Sequence, residues 1–106
     1  MVLELADLTI DTSFKAVYRA GERIPLSRLE YRLFEYLLTN RGAVVSRDRI
    51  ERDVFQRSET RSNIIDVYVG YLRNKLGHRR LIATQRGKGY TINGLVQARE
   101  TTTGVE

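Results

Sequence analysis

The chain has 106 residues, 42% of them hydrophobic and 29% charged, with a formal net charge of +5, which is typical of one globular domain. It contains no cysteine, which excludes disulfides and thiolate metal sites. It also contains no long apolar run, so no transmembrane helix is predicted. The N-terminus lacks the pattern of a signal peptide, so we expect a cytoplasmic protein.

The first 26 residues predict a small antiparallel sheet of four short strands. The stretches LELADLTID and KAVYRAGERIPL alternate apolar with polar residues, as half-buried strands do. Gly21 lies within the second stretch, where it can supply a turn.

A first helix is predicted over about 28–40. Ser27 is followed three residues later by Glu30, which is the pattern of a capping box at a helix start. Leucine and phenylalanine residues then recur at helical spacing, and Gly42 can supply a left-handed end.

A second helix is predicted after Ser46, which we expect to be its N-cap. Asp48 lies favourably in its first turn, and Ile50, Val54 and Phe55 form a short apolar stripe. The segment QRSETR that follows is polar, so it is predicted as a loop over 56–61.

The third helix is predicted over 62–76, with Ser62 as its cap and Gly77 as its end. Its core face consists of the residues that recur at helical spacing, Ile65, Val69, Leu72 and Leu76. Its opposite face is predicted to consist of Asn63, Val67, Gly70 and Asn74, flanked by Asp66, Tyr71 and Arg73. A glycine inside a helix lowers helix stability by roughly 1 kcal/mol relative to alanine, so the presence of Gly70 on this outward face requires an explanation.

After the third helix, LIATQ and YTI predict two strands joined by the turn RGKG. This hairpin places Arg86 and Lys88 at its tip, with Thr84 and Tyr90 at its base. A basic tip of this kind can enter a DNA minor groove, although a plain solubilising turn would look the same. The tail over 96–106 lacks apolar periodicity and is predicted to be flexible.

The positive charge is concentrated in one part of the chain. Residues 61–90 hold seven Lys or Arg side chains against one acid, Asp66. Such a one-sided basic surface favours a polyanionic partner, with nucleic acid first, an anionic membrane second, and a solvated face without a partner as the alternative.

Three stretches together resemble the C-terminal effector domain of OmpR/PhoB-type response regulators, the output half of bacterial two-component systems. They are IPLSRLEYRLFEYLLTNRGAVVSRDRI, SNIIDVYVGYLRNKLG and RLIATQRGKGY, which run from about Ile24 to Tyr90. The resemblance implies an α+β winged helix-turn-helix over 1–95, with an N-terminal four-stranded antiparallel sheet (1–26), three helices (27–76) and a C-terminal β-hairpin wing (81–92).

The resemblance implies sequence-specific binding of double-stranded promoter DNA that regulates transcription. Helix 62–76 would lie in the major groove, and the wing at 84–90 would lie at the minor groove. The expected contacts, including those that periodicity and the hairpin tip add, are Arg47, Asn63, Val67, Tyr68, Gly70, Tyr71, Arg73, Asn74, Thr84, Arg86, Lys88 and Tyr90. Family helices often carry arginine where this chain has Gly70 and Tyr71.

The alternative function is a winged-helix protein-interaction module. In some members of the family the segment between the second and third helices contacts RNA polymerase, and here it consists of Gln56, Arg57, Ser58, Glu59, Thr60 and Arg61. The resemblance further implies a phosphorelay: a receiver domain absent from this chain, a sensor histidine kinase that acts on it, and pairing of two domains on repeated DNA half-sites.

Neither an enzyme nor a cofactor-binding or metal-binding protein is expected. The chain has one histidine, His78, and no nucleophile or carboxylate can be argued to lie beside it. The GKG turn lacks the spacing of a nucleotide-binding loop. RNA is a weaker expectation than DNA because the aromatic residues are not arranged as stacking platforms on strands.

Overall fold

The N-terminal residues fold into an antiparallel meander. The computed structural model describes residues 2–56, 63–78, 80–92 and 98–101, the last four by their backbone alone. The predicted four strands are confirmed as β1 (Val2–Leu5), β2 (Leu8–Asp11), β3 (Ala16–Arg19) and β4 (Glu22–Ile24). Alternation turns one face of this sheet inward, so that Leu5, Leu8 and Ile10 are almost fully buried.

A fifth strand, β7 (Ala98–Thr101), pairs antiparallel with β1 and gives the sheet the order β4-β3-β2-β1-β7. The predicted flexible tail over 96–106 is therefore wrong for these four residues, and the other tail residues lie outside the described part of the chain. The sequence pattern did not indicate this strand. A segment that pairs with the edge of a sheet is held by backbone hydrogen bonds, which require no apolar pattern in the added segment.

The first helix is α1 (Arg28–Thr39), one residue shorter than predicted. Its capping box is confirmed, since the Ser27 hydroxyl accepts from the Glu30 N–H and the Glu30 carboxylate accepts from the Ser27 N–H. The prediction that Gly42 supplies the left-handed end of this helix is wrong, because the C-cap is Asn40 with a φ of −102°; Gly42, two residues further on, does have a φ of +89°.

The second helical segment is irregular. Ser46 caps it as predicted, but the α-helical part, α2, covers Arg47–Ile50 alone. The chain then widens into a π-helical turn over Glu51–Phe55, which ends at Gln56 in the left-handed conformation. This wider turn keeps Ile50, Val54 and Phe55 buried, as the apolar stripe predicts, although the sequence gives no sign of the change in helix type.

The third helix, α3, covers Ile64–Leu76. Asn63 stands at its N-cap position, and the predicted cap Ser62 lies outside the described residues. Gly77 ends the helix with a φ of +75°, as predicted. The predicted core face is confirmed, because each member is at most 4% exposed: Ile65, Val69, Leu72 and Leu76.

Two polar contacts fix α3 against the rest of the molecule. Lys75 in α3 donates to the Glu30 carboxylate in α1 at 2.7 Å. Burial raises the pKa of Glu30, but its hydrogen bonds from Lys75 and the Ser27 backbone outweigh burial, so the pKa lies below 4.5. Just beyond the helix, His78 contacts Asp7 in the β1–β2 turn at 2.5 Å. The axis of α3 is thus held at both α1 and the sheet.

The predicted hairpin is confirmed as β5 (Ile82–Gln85) and β6 (Gly89–Ile92). Tyr90 in β6 exchanges two backbone hydrogen bonds with Val45, at 2.8 and 3.0 Å, and these attach the hairpin to the segment before α2. A β-carbon on Gly89 would lie 1.9 Å from the Val45 carbonyl oxygen, so this close approach requires glycine. One hydrophobic cluster joins the sheet, the helices and the hairpin.

Candidate nucleic-acid interface

The outward face of α3 carries polar side chains around a glycine. Asn63, Tyr71 and Asn74 are exposed, and Val67 and Gly70 are partly exposed. A β-carbon built on Gly70 would meet no atom within 4 Å, so this glycine does not make room for packing inside the protein. Its predicted position away from the core is confirmed. The missing side chain leaves a shallow depression in the middle of the face.

Arg73 lies at the edge of this face and points toward the hairpin. Its Nε and Nη2 donate to the Ile82 carbonyl oxygen at 3.1 and 2.6 Å, and Nη2 also donates to the Thr84 hydroxyl at 2.9 Å. Among the described residues, nothing accepts a hydrogen bond from Nη1. The side chain therefore joins α3 to β5 and still presents two N–H groups to an anion.

Arg47, Asp66 and Tyr90 form a second connection between the helices and the hairpin. Arg47 in α2 makes an ion pair with the Asp66 carboxylate in α3 at 2.7 Å, and its guanidinium lies 5.4 Å from the centre of the Tyr90 ring. The Tyr90 hydroxyl donates to the same Asp66 oxygen. Tyr90 is 3% exposed, whereas the Arg47 and Asp66 side chains are each 44% exposed. Arg47 is thus oriented from below by a buried tyrosine.

The charges in this cluster reinforce one another. The hydrogen bond from Tyr90, followed by that from Arg47, lowers the pKa of Asp66 below 3.8. Burial and the bond to Asp66 raise the pKa of Tyr90, so its hydroxyl keeps its proton. Hydrogen bonds to Asp66 and Tyr90 raise the pKa of Arg47 as well. The cluster is fully formed at neutral pH, with a guanidinium on its outer side.

A line of three aromatic rings runs from the π-helical turn to the middle of α3. Phe55, from the π-helical turn, meets Tyr68 edge-on at 5.3 Å between ring centres, and Tyr68 meets Tyr71 at 5.5 Å. Phe55 is buried, Tyr68 is half-buried and Tyr71 is 47% exposed. Tyr68 therefore acts mainly as the support that holds Tyr71 outward.

The hairpin tip carries the remaining predicted cations. Arg86, Gly87 and Lys88 are exposed, and the turn is closed by the Lys88 N–H, which donates to the Gln85 carbonyl oxygen at 2.9 Å. Gly87 has a φ of +73°, which suits a tight turn. Thr84 is exposed at the base of the tip, where its hydroxyl accepts from Arg73.

The structure brings most of the predicted residues together on α3, the start of α2 and the hairpin, with Tyr90 buried beneath them. The helical period predicts Asp66 on a flank of the outward face, but the sequence does not identify it as the group that binds Arg47. The feature that could have indicated this role is its position as the one acid within the most basic stretch of the chain. In the predicted partner loop, Gln56 is exposed, and residues 57–61 lie outside the described part.

Comparison with known proteins identifies a family and relatives that are similar to this chain. The family described as "Transcriptional regulatory protein, C terminal" matches residues 21–92, which include α1, α2, α3 and the hairpin. The response regulator MprA of Mycobacterium tuberculosis is 42% identical over 96 residues, which cover 87% of this chain and 42% of MprA. This chain thus spans less than half the length of the curated relatives that it matches.

Two of the solved structures of similar shape are DNA-binding domains of other proteins. The DNA-binding domain of Klebsiella pneumoniae RstA, solved in complex with the RstA box, has a TM-score of 0.78 and 27% identity over 87% of this chain and 96% of that one. The DNA-binding domain of CpxR from E. coli has a TM-score of 0.77 and 28% identity over 88% of this chain and 96% of that one. No helix in the described ranges is long and apolar enough to span a membrane.

Proposed function

The chain belongs to the C-terminal effector domains of OmpR/PhoB-type response regulators, and from that premise we propose that it binds double-stranded DNA in a sequence-specific way and so regulates transcription. The observation that carries the proposal is the set of hydrogen bonds from the Arg73 guanidinium to the Ile82 carbonyl oxygen and the Thr84 hydroxyl, which we call the clamp. It joins the exposed face of α3 to the basic hairpin, so that the two elements can meet neighbouring grooves of one duplex.

In this proposal α3 enters the major groove with its outward face. Asn63 and Asn74 offer amide groups of the kind that pair with adenine, and Val67 offers methyl groups to thymine. Gly70 leaves room for the helix backbone to come close to the bases. Tyr71, supported by Tyr68, supplies contact where relatives often carry arginine.

The cations supply phosphate contacts and hence much of the affinity. Arg47 would bind a phosphate from the start of α2, and the unshared Nη1 of Arg73 would bind another. Because its Nε and Nη2 already bind the hairpin, Arg73 lacks the free fork that a bidentate guanine contact needs. Tyr90 is buried, so we assign it a positioning role through Asp66 and not a DNA contact.

Arg86 and Lys88 at the hairpin tip would enter or line the minor groove, where negative potential attracts them. Thr84 stands beside them and can donate its own hydroxyl hydrogen to a phosphate, since in the clamp it acts as acceptor. These side chains would contact the sugar-phosphate backbone of the DNA more than its bases. The hairpin therefore adds affinity, and the face of α3 adds sequence preference.

The proposal also includes the proteins with which this domain would act and its location in the cell. A two-component context implies a receiver domain, a sensor histidine kinase that acts on it, and a cytoplasmic location, since the matched relatives are response regulators. Pairing on repeated half-sites is also proposed. Contact with RNA polymerase through 56–61 rests on a segment that the structure describes at Gln56 alone, and no observation favours it over DNA binding.

Selection of bound duplexes from a random DNA pool tests the proposal directly. We expect an enriched motif, and two half-sites about one helical turn apart would show paired binding. Footprints should depend on Asn63 and Tyr71, because both lie on the outward face. Recovery of no motif, with equal binding to every duplex at moderate salt, would contradict sequence-specific recognition.

A further inference from the structure

A cavity of about 340 Å³ lies between the N-terminal sheet and the start of α1, on elements that the proposed DNA surface does not use. Its apolar walls come from Phe14, Leu26 and Tyr31. Its polar side consists of Ser27 and four cationic side chains, Lys15, Arg23, Arg28 and Arg32. Among the residues that the structure describes, no acidic side chain lines it, which sets it apart from an ordinary mixed surface.

Phe14 is the most unusual member of this cavity. Its side chain is 78% exposed, although a phenylalanine at the tip of a turn gains nothing from contact with water. The turn that presents it is well defined, because the Asp11 carboxylate accepts from the backbone N–H groups of Ser13 and Phe14 at 3.0 and 3.2 Å. The ring is thus held at the mouth of the cavity.

The cations around the cavity lack acidic partners. Within the described residues, the side chains of Lys15, Arg23 and Arg28 form no ion pair, and all three are exposed. Arg32 donates to a backbone carbonyl, that of Asp53, at 3.4 Å. The nearby Glu30 carboxylate cannot balance them, because it is buried and already paired with Lys75. Two other carboxylates lie beside the cavity, since Asp11 accepts from the Phe14 backbone and Glu35 accepts from the Tyr31 hydroxyl at 3.5 Å, but neither lines it or forms an ion pair with its cations. The four cationic side chains therefore outnumber the acids around the apolar centre.

We propose that this cavity is a docking site for an acidic segment of a partner protein, with one apolar side chain of that segment seated between Phe14, Leu26 and Tyr31. A buried apolar anchor ringed by charge pairs is a common form of peptide recognition. Duplex DNA fits less well, because its phosphates lie on a convex cylinder and offer no apolar group for the cavity. The proposal does not depend on DNA binding by α3.

The probe for this site is a synthetic peptide with a central leucine and phenylalanine flanked by three aspartate or glutamate residues on each side. A second peptide of the same charge replaces the two apolar residues with glycine. Titration of the isotope-labelled chain should shift the amide signals of residues 13–16, 23 and 26–32. The glycine peptide should bind about tenfold more weakly, since the apolar anchor is missing.

Variants of the cavity residues test whether the peptide binds at this cavity. Phe14→Ala and the double change Arg23→Ala with Arg28→Ala should each weaken peptide binding about tenfold. Phe14 is exposed, so its loss should leave the fold intact, and the amide spectrum checks this. Arg41→Ala, an exposed arginine after α1, is the matched control and should bind normally. DNA affinity should remain unchanged in the cavity variants.

Three outcomes would overturn the proposal. The first is equal binding of the two peptides, which would leave general charge attraction as the explanation. The second is peptide shifts confined to α3 and the hairpin. The third is displacement of the peptide from the cavity by duplex DNA that shifts residues 13–16 and 23 directly, which would assign this surface to nucleic acid.

Discussion

The guanidinium group of Arg73, in α3, donates two hydrogen bonds to the carbonyl oxygen of Ile82, in the first strand of the hairpin. A side chain of the proposed recognition helix thus sets the position of the proposed wing. The grooves of a duplex have fixed widths and spacing, so this geometry matters for binding as much as the charge of Arg73 does. The consequence can be tested by separating charge from geometry.

Arg73→Lys keeps the charge but loses the planar fork that spans Ile82 and Thr84. We expect DNA affinity to fall about tenfold, nearly as far as in Arg73→Ala, together with shifts in the amide signals of β5. Arg80→Lys, an exposed arginine just beyond α3, is the control and should be nearly neutral. Equal binding of Arg73→Lys and the unchanged protein would show that charge alone is needed.

Arg86→Ala should weaken binding to every duplex alike, because the hairpin tip is expected to contact the backbone. The slope of log affinity against log salt should become less steep by about one unit, as for one lost phosphate contact. Lys15→Ala removes a charge of the same sign from the sheet side and should leave the slope unchanged. A change of base preference in Arg86→Ala would contradict this role for the tip.

Tyr90→Phe removes the hydroxyl that holds Asp66. Because the carboxylate is half-exposed and water replaces part of the bond, we expect a loss of about 1 kcal/mol in unfolding free energy at pH 7. Loss of the orientation of Arg47 should also weaken DNA binding about two- to fivefold. Tyr36→Phe removes a comparable bond, to Asp53, away from the interface, and should reduce stability without affecting DNA affinity.

The same variant has a defined pH dependence. The pKa of Asp66 is lowered in the folded protein, so its ionised form stabilises the fold above the ordinary pKa of 3.8, and this stabilisation is lost as pH falls through the lowered pKa. The stability difference between Tyr90→Phe and the unchanged protein should therefore be full at pH 7 and shrink below 3.8. Urea unfolding at pH 7 and near pH 3 measures it, and a constant difference would argue against the Asp66 bond.

Gly70→Ala separates folding from function at one position. Since nothing lies within 4 Å of the added β-carbon, the change should raise the unfolding free energy by about 1 kcal/mol through helix propensity alone. DNA affinity should fall if the helix backbone approaches the bases there, and Gly70→Arg should alter affinity or preference more than stability. Higher stability with unchanged binding by both variants would remove Gly70 from the interface.

The sequence by itself determined the regular elements and their faces. The capping box at Ser27, the left-handed helix end at Gly77, and the core stripe from Ile65 to Leu76 depend on neighbours a few residues apart, so local pattern was sufficient to predict them. The outward position of Gly70 followed from the same helical period. These are properties that a short stretch of chain carries without its surroundings.

Tertiary structure decided what joins these elements. Arg73 reads as a free cation in the sequence, yet Ile82 and Thr84 occupy most of its donors, and Tyr90 reads as a surface contact although it is buried beneath Arg47. Strand β7 owes its existence to the open edge of β1, about a hundred residues earlier in the chain. Such contacts depend on which distant groups the fold brings within hydrogen-bonding distance, and no local pattern encodes that.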